Sequence, residues 1–109
     1  MGPDGAGVRF VLSVRIAPGR EAEFLERYAA LGRRIERGLA GHVAHELCQS
    51  LDEPDRWLIA SRWESIEASE AWERTPEHRE LTLRLRECFA ESERSAYAVR
   101  VDTRRKEEG

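Results

Sequence analysis

Most of the side chains able to do chemistry fall in one stretch, RWESIEASEAWERTPEHREL, Arg62 to Leu81. Trp63 and Trp72 stand nine residues apart, with His78 six further on, in a chain that is only 7% aromatic. Indole rings either wall a pocket or fill a core, and an imidazole adds a group able to exchange a proton near neutral pH. Each also has a plainer role. Trp63 can close the end of a strand as a core residue, Trp72 can pack a helix on a sheet, and His78 can be a satisfied, neutral histidine.

Two further sets carry less. His42 and His45 form an H-x-x-H pair, but on a strand an odd spacing turns two side chains to opposite faces, so the pair cannot share an ion. Cys48 shares the face of His42 but lies six residues along, about 20 Å at strand rise. No metal site is therefore expected. Cys48 and Cys88 are forty residues apart with no C-x-x-C spacing, which points to reduced, buried thiols. Gly2, Gly5 and Gly7 precede a strand instead of joining strand to helix, the wrong context for a phosphate loop. No motif exposes a nucleophilic serine, so no Ser-His-Asp set is argued.

These residues need elements to hold them. Val8, Phe10, Leu12, Val14 and Ile16 alternate with Arg9, Val11, Ser13 and Arg15, the period of a strand with one buried face. From Arg20 the period changes: Phe24, Tyr28, Leu31 and Ile35 recur every three or four residues, predicting an amphipathic helix that ends near Gly38. HVAHELCQSL is a second strand, joined by the turn signal DEPD to RWLIASRW, whose Trp57, Leu58, Ile59, Ala60 and Trp63 suggest burial on both faces. Ser65 suits the N-cap of a short helix with Ala68, Ala71 and Trp72 on one side. Thr75-Pro76-Glu77 opens another, with His78, Leu81, Leu85, Cys88 and Phe89 on its stripe. AYAVRV supplies a fourth strand with Tyr97, Val99 and Val101 on one side.

The order β, α, β, β, α (broken in two), β predicts an α+β, ferredoxin-like split βαβ sandwich: a four-stranded antiparallel sheet with helices on one face. Residues 8–102 form the single domain, flanked by a Gly-rich N-terminal tail, 1–7, and a charged C-terminal tail, 103–109, both expected to be disordered. The uncovered sheet face predicts a homodimer with two sheets facing each other.

Composition sets the remaining bounds. A chain of 109 residues is one domain, and it should bury roughly two thirds of its unfolded surface. No apolar run approaches the length of a membrane span, and MGPDGAG has neither the basic start nor the apolar centre of a signal peptide, so a cytoplasmic protein with no membrane partner is expected. A net charge of -3 argues against nucleic acid. Of the 18 basic residues only Lys106 is lysine.

SRWESIEASEAWERTPEHREL, preceded by CQSLDEPDRWLIA and GLAGHVAHEL, resembles the antibiotic biosynthesis monooxygenase family of dimeric α+β barrels, over about residues 8–101. The most specific part is the strand-ending Trp63 followed by Glu-Ser and an Ala-bearing helix. The resemblance implies a cofactor-independent monooxygenase that oxidises a small aromatic, phenolic or anthrone substrate, polyketide-derived in some members, with O2. Trp63 and His78 are then the catalytic candidates, Trp63 to bind and polarise and His78 to exchange a proton, and Trp72 is a substrate-binding wall. Such chemistry needs a pocket that excludes water and donors that stabilise a substrate anion. A second branch of the family binds and degrades haem, with an Asn on the first strand, a Trp on the short helix and a His on the next helix as iron ligand. Trp72 matches the second position. Leu12 stands at the first, and His78 falls one turn before the third, which lies near Leu81 or Thr82. A non-catalytic dimeric ligand-binding or regulatory module is the remaining alternative.

Overall fold

The computed structural model describes residues 7–104; residues 1–6 and 105–109, which make up most of the two expected tails, lie outside the described residues. Gly7 is buried, and its carbonyl accepts a hydrogen bond from the Val99 N–H at 3.0 Å. The elements run β1 (Val8–Ile16), α1 (Glu21–Glu36), β2 (His42–Gln49), β3 (Arg56–Trp63), α2 (Ile66–Glu73), α3 (Pro76–Arg86) and β4 (Phe89–Ala98). One antiparallel sheet of order β2-β3-β1-β4 carries the helices on one face, the ferredoxin-like arrangement that the element order implies.

The core follows from the alternation. Val14 and Ile16 of β1 and Trp57, Ile59 and Trp63 of β3 are buried toward the helices, and Phe24 of α1 is wholly enclosed. Phe24 meets Trp57 edge-on at 5.5 Å and Phe89 at 6.0 Å, so one helix side chain gathers two strands. Such pairs add about 0.5–1.5 kcal/mol each beyond their buried area. Arg27 of α1 reaches the Arg84 carbonyl at 2.6 Å, and Arg34 reaches Glu77 at 2.7 Å, tying α1 to α3 along the surface.

The α2 and α3 starts match the capping signals. The Ser65 hydroxyl accepts from the Ala68 N–H at 3.1 Å, and that of Thr75 accepts from the His78 N–H at 3.1 Å, each satisfying a helix-end donor. On α2 the buried partner of Trp72 is Ser69, with Ala71 exposed, because the inner face of so short a helix is narrow.

Four expectations need correction. First, β4 spans Phe89–Ala98, beginning seven residues before AYAVRV; Val99 lies beyond its end and Val101 is exposed. A sheet-edge strand with most side chains in water carries no apolar alternation, so FAESERSAYA hides its period. Phe89 accordingly starts β4 and does not continue α3. Second, among the described residues β3 is buried on one face only: Leu58 is 36% exposed, because no other described element lies against that side. Third, Cys48 is exposed on that open face, whereas Cys88 is fully buried; both are free thiols.

The fourth concerns the histidines. β2 carries a bulge between His42 and Ala44: His42 pairs with Trp63, Ala44 with Arg62 and His45 with Ser61. One extra residue restores parity, so His42 and His45 share the helix-facing side, their ring centroids 6.1 Å apart. Cys48, paired with Leu58, is on the other side.

Candidate functional site

A cavity of about 640 Å3 opens between the sheet and the helices, and Trp63, Trp72 and His78 all line it. The stretch from Arg62 to Leu81 is thus one wall, built from the end of β3, the inner face of α2 and the first turn of α3. The volume lies within the range of small-molecule sites.

Trp63 enters the wall because β3 ends where β1 and β2 flank it, at Val8 and His42. It is buried, its indole N–H points at the Ser61 hydroxyl at 3.3 Å, and its ring meets that of His42 edge-on at 5.1 Å. Trp72 is held between two helices: the Arg34 guanidinium of α1 sits 5.3 Å over its ring, and the His78 imidazole meets it edge-on at 5.3 Å. Thr75 links the pair, since its hydroxyl donates to the Trp72 carbonyl at 2.7 Å while accepting from the His78 N–H.

Half-burial pushes the His78 pKa below its ordinary 6.5; Arg94 and Arg86 push the same way and Glu73 opposes them. His78 is therefore a neutral imidazole at neutral pH, able to accept a proton. Arg94 and Glu73, also lining the cavity, are paired at 2.5 Å, and Arg94 lies 4.8 Å over the Phe10 ring.

A further part of the lining comes from β2, where His45 pairs with Ser61. His45 lines the cavity, and its Nδ1 is 2.5 Å from the Tyr28 hydroxyl of α1. Burial, with His42 adding to it, lowers the His45 pKa to about 4, and burial, with Cys48 and Glu46 adding to it, raises that of Tyr28 to about 12. His42 is lowered by burial, and its Nε2 is buried with no hydrogen-bond partner among the described residues. The available signal was the pairing of an H-x-x-H strand with a tyrosine on the helical stripe; an unseen bulge concealed it.

Haem does not fit these residues in the manner of the haem-degrading branch. At its polar first-strand position Leu12 presents an apolar side chain to the cavity. At the ligand position Leu81 is apolar, and the Thr82 hydroxyl is bound to the His78 and Arg79 carbonyls of its own helix. His78 itself stacks its ring edge on Trp72. No group of three or more His, Cys, Asp or Glu able to hold a metal ion occurs among the described residues. No described helix is long and apolar enough to cross a membrane.

Residues 8–82 match the family described as antibiotic biosynthesis monooxygenase. Over 100 residues the chain is 36% identical to the 42.8 kDa protein in the whiE locus of Streptomyces coelicolor, 37% identical to Protein SchA of Streptomyces halstedii and 30% identical to Polyketide synthase CurD of Streptomyces cyaneus. Each match takes in 92% of this chain but only 25%, 26% and 26% of those proteins, so the chain spans about a quarter of their length. In fold it resembles SnoaB, a cofactor-independent oxygenase from Streptomyces nogalater, with a TM-score of 0.78 at 23% identity over 89% of this chain and 96% of that one. A conserved protein from Methanosarcina mazei gives 0.80 at 20% identity, over 88% and 95%.

Proposed function

The chain belongs to the antibiotic biosynthesis monooxygenase family, and from that premise we propose that it is a cofactor-independent monooxygenase acting with O2 on a small phenolic or anthrone substrate derived from a polyketide. The observation that carries this reading is the cavity of about 640 Å3 in which Trp63, Trp72 and His78 meet. An electron-rich aromatic of two or three fused rings suits a pocket of that size lined by Phe10, Leu12 and Ile59. In this reading Trp63 and His78 are catalytic and Trp72 is a substrate wall. The His78 imidazole, neutral through burial, accepts the acidic substrate proton, and the Trp63 indole N–H turns from Ser61 to the anion as it forms. The aromatic and aliphatic lining limits the water that would quench an anion as it reduces oxygen. The likeness to SnoaB, a cofactor-independent oxygenase, and to Polyketide synthase CurD lends support to the absence of a cofactor and to the substrate class respectively.

The same reading makes the protein a cytoplasmic homodimer. The reducing poise of that compartment suits the free Cys48 and Cys88. The open sheet face, with Leu58 uncovered, is the surface on which a second copy would lie.

Oxygen uptake with dithranol, a trihydroxyanthracene-type anthrone, tests the activity. The unsubstituted protein should consume O2, and Trp63→Phe should be slower by roughly tenfold or more, the scale of a lost hydrogen bond to a charged group. Equal rates would remove the role given to Trp63, and no uptake on dithranol or on simpler phenols would overturn the oxygenase reading. Light scattering on the same sample tests the dimer, which a monomeric mass would exclude.

A further inference from the structure

Two groups at the cavity have no part in the chemistry above. His45 lines it from β2, and Tyr28 stands behind His45 on α1, its hydroxyl 2.5 Å from Nδ1. We propose that His45 is a further catalytic residue, whose Nε2–H donates a hydrogen bond to the oxygen anion of the bound phenol or anthrone, and that Tyr28 is the positioning residue that fixes the donating tautomer. The inference rests on the reading of the cavity as a site for such a substrate.

The direction of the Tyr28–His45 bond decides the role. A phenol held at about 12 keeps its proton throughout the working range, and that proton needs an acceptor. Among the described residues the only acceptor recorded for it is His45 Nδ1. A histidine held down to about 4 is neutral, with one of its two nitrogens protonated. With Nδ1 occupied as acceptor, the hydrogen resides on Nε2, the nitrogen left for a bound molecule. A neutral imidazole of fixed tautomer is a donor that cannot itself take the proton of a phenol, so it complements His78, which accepts one. No proton moves through His45: it stabilises charge.

The surroundings are consistent with that division. Around His45 the titratable and charged groups are Tyr28 on α1, His42 and Glu46 on its own strand, Glu73 on α2, His78 and Arg86 on α3 and Arg94 on β4, the last four across the cavity. Arg94 is engaged by Glu73, and His42 repels a second positive charge on His45. His45 alternates regularly with Leu47 and Gln49 on this face, and the bulge before it brings His42 to the same side.

Binding of 4-nitrophenol, whose neutral and ionised forms absorb at different wavelengths, tests the inference without turnover. In the unsubstituted protein the bound phenol should ionise at lower pH than the free one. His45→Phe, which keeps a ring but no donor, should weaken phenolate binding by roughly tenfold to a hundredfold and neutral phenol much less; His45→Gln, which keeps an N–H, should recover part of the loss. The 15N spectrum of the imidazole should show a single Nε2–H tautomer, which Tyr28→Phe turns into a mixture; a merely structural tyrosine would leave the tautomer unchanged. Equal phenolate affinity in His45→Phe, or a spectrum with Nδ1 protonated, overturns the proposal while the oxygenase reading stands. If neither form of the phenol binds the unsubstituted protein, the reading of the cavity falls and this inference with it. Should His45→Phe fail to fold, the 15N spectra of the unsubstituted protein and of Tyr28→Phe decide.

Discussion

The two walls of the cavity are built on different principles. One, with Trp63, Trp72 and His78, hangs on helix caps: Ser65 and Thr75 fix where α2 and α3 begin, and so which side chains point inward. The other, with His45, hangs on a strand in which one extra residue turns the neighbouring His42 to the same side. Caps leave a sequence signature at fixed offsets from the residues they orient, and a bulge leaves none, so equally reactive side chains can be visible on one wall and hidden on the other.

The difference is open to direct attack at Gly41, which feeds the bulge. Its φ is +78°, and a Cβ there would stand 2.4 Å from the Ala68 Cβ of α2. Gly41→Ala therefore adds left-handed strain to a steric collision, and the expected cost is roughly 2–4 kcal/mol. Gly38→Ala, at φ +97° with open space around the new methyl, meets only the strain, at about 1–2 kcal/mol. Urea midpoints of the two variants check the ordering. Gly41→Ala should also displace His45 from Tyr28, seen in the imidazole 15N signals, while the Trp72–His78 contact survives. Equal midpoints would mean that the bulged end of β2 is not held against α2.

pH probes the β2 wall on a second axis. The folded pKa of His45 is about 4 against an ordinary 6.5, so between those values the unfolded chain binds the extra proton and the folded chain does not. Stability from this group is full above pH 6.5 and is lost as pH falls toward 4, by on the order of 2 kcal/mol once partial exposure is allowed for. His42 and His78 are lowered as well and act in the same direction. Denaturant titrations of the unsubstituted protein and of His45→Phe from pH 7 to pH 4 check this. Carboxylate losses are common to both, so the unsubstituted protein should fall more steeply by that amount, and parallel curves would show that His45 takes up its proton in the folded state.

What could be seen in the chain follows the same division. The alternation of Val8 to Ile16, the stripe of Phe24 to Ile35 and the caps at Ser65 and Thr75 each repeat or punctuate, and β1, α1, α2 and α3 stand near where they imply. From these and the order of the strands the fold was legible. β4 is not legible because an exposed edge strand has little inner face to imprint on its sequence, and FAESERSAYA is held by backbone pairing to β1. The histidine pair departs from expectation for the converse reason: strict alternation does not hold where pairing skips Val43. Leu58 and Cys48 were expected to be buried because apolar character says that a side chain belongs out of water, not which molecule covers it.

The smallest effect is expected at the cap itself. Thr75→Ala removes the hydroxyl that accepts from the His78 N–H and donates to the Trp72 carbonyl, a loss of about 1 kcal/mol, typical of an N-cap. Pro76 still starts α3, so the helix persists and only its first turn loosens. The urea midpoint should drop by that amount, and Thr75→Ser, which keeps the oxygen, should restore most of it. Because the hydroxyl bonds to Trp72 and His78 and not to His45, the imidazole 15N signals of His45 should stay in place. A larger displacement of those signals than Gly41→Ala produces would break the comparison, since it would mean that the helix-borne wall, not the bulged strand, sets the position of His45.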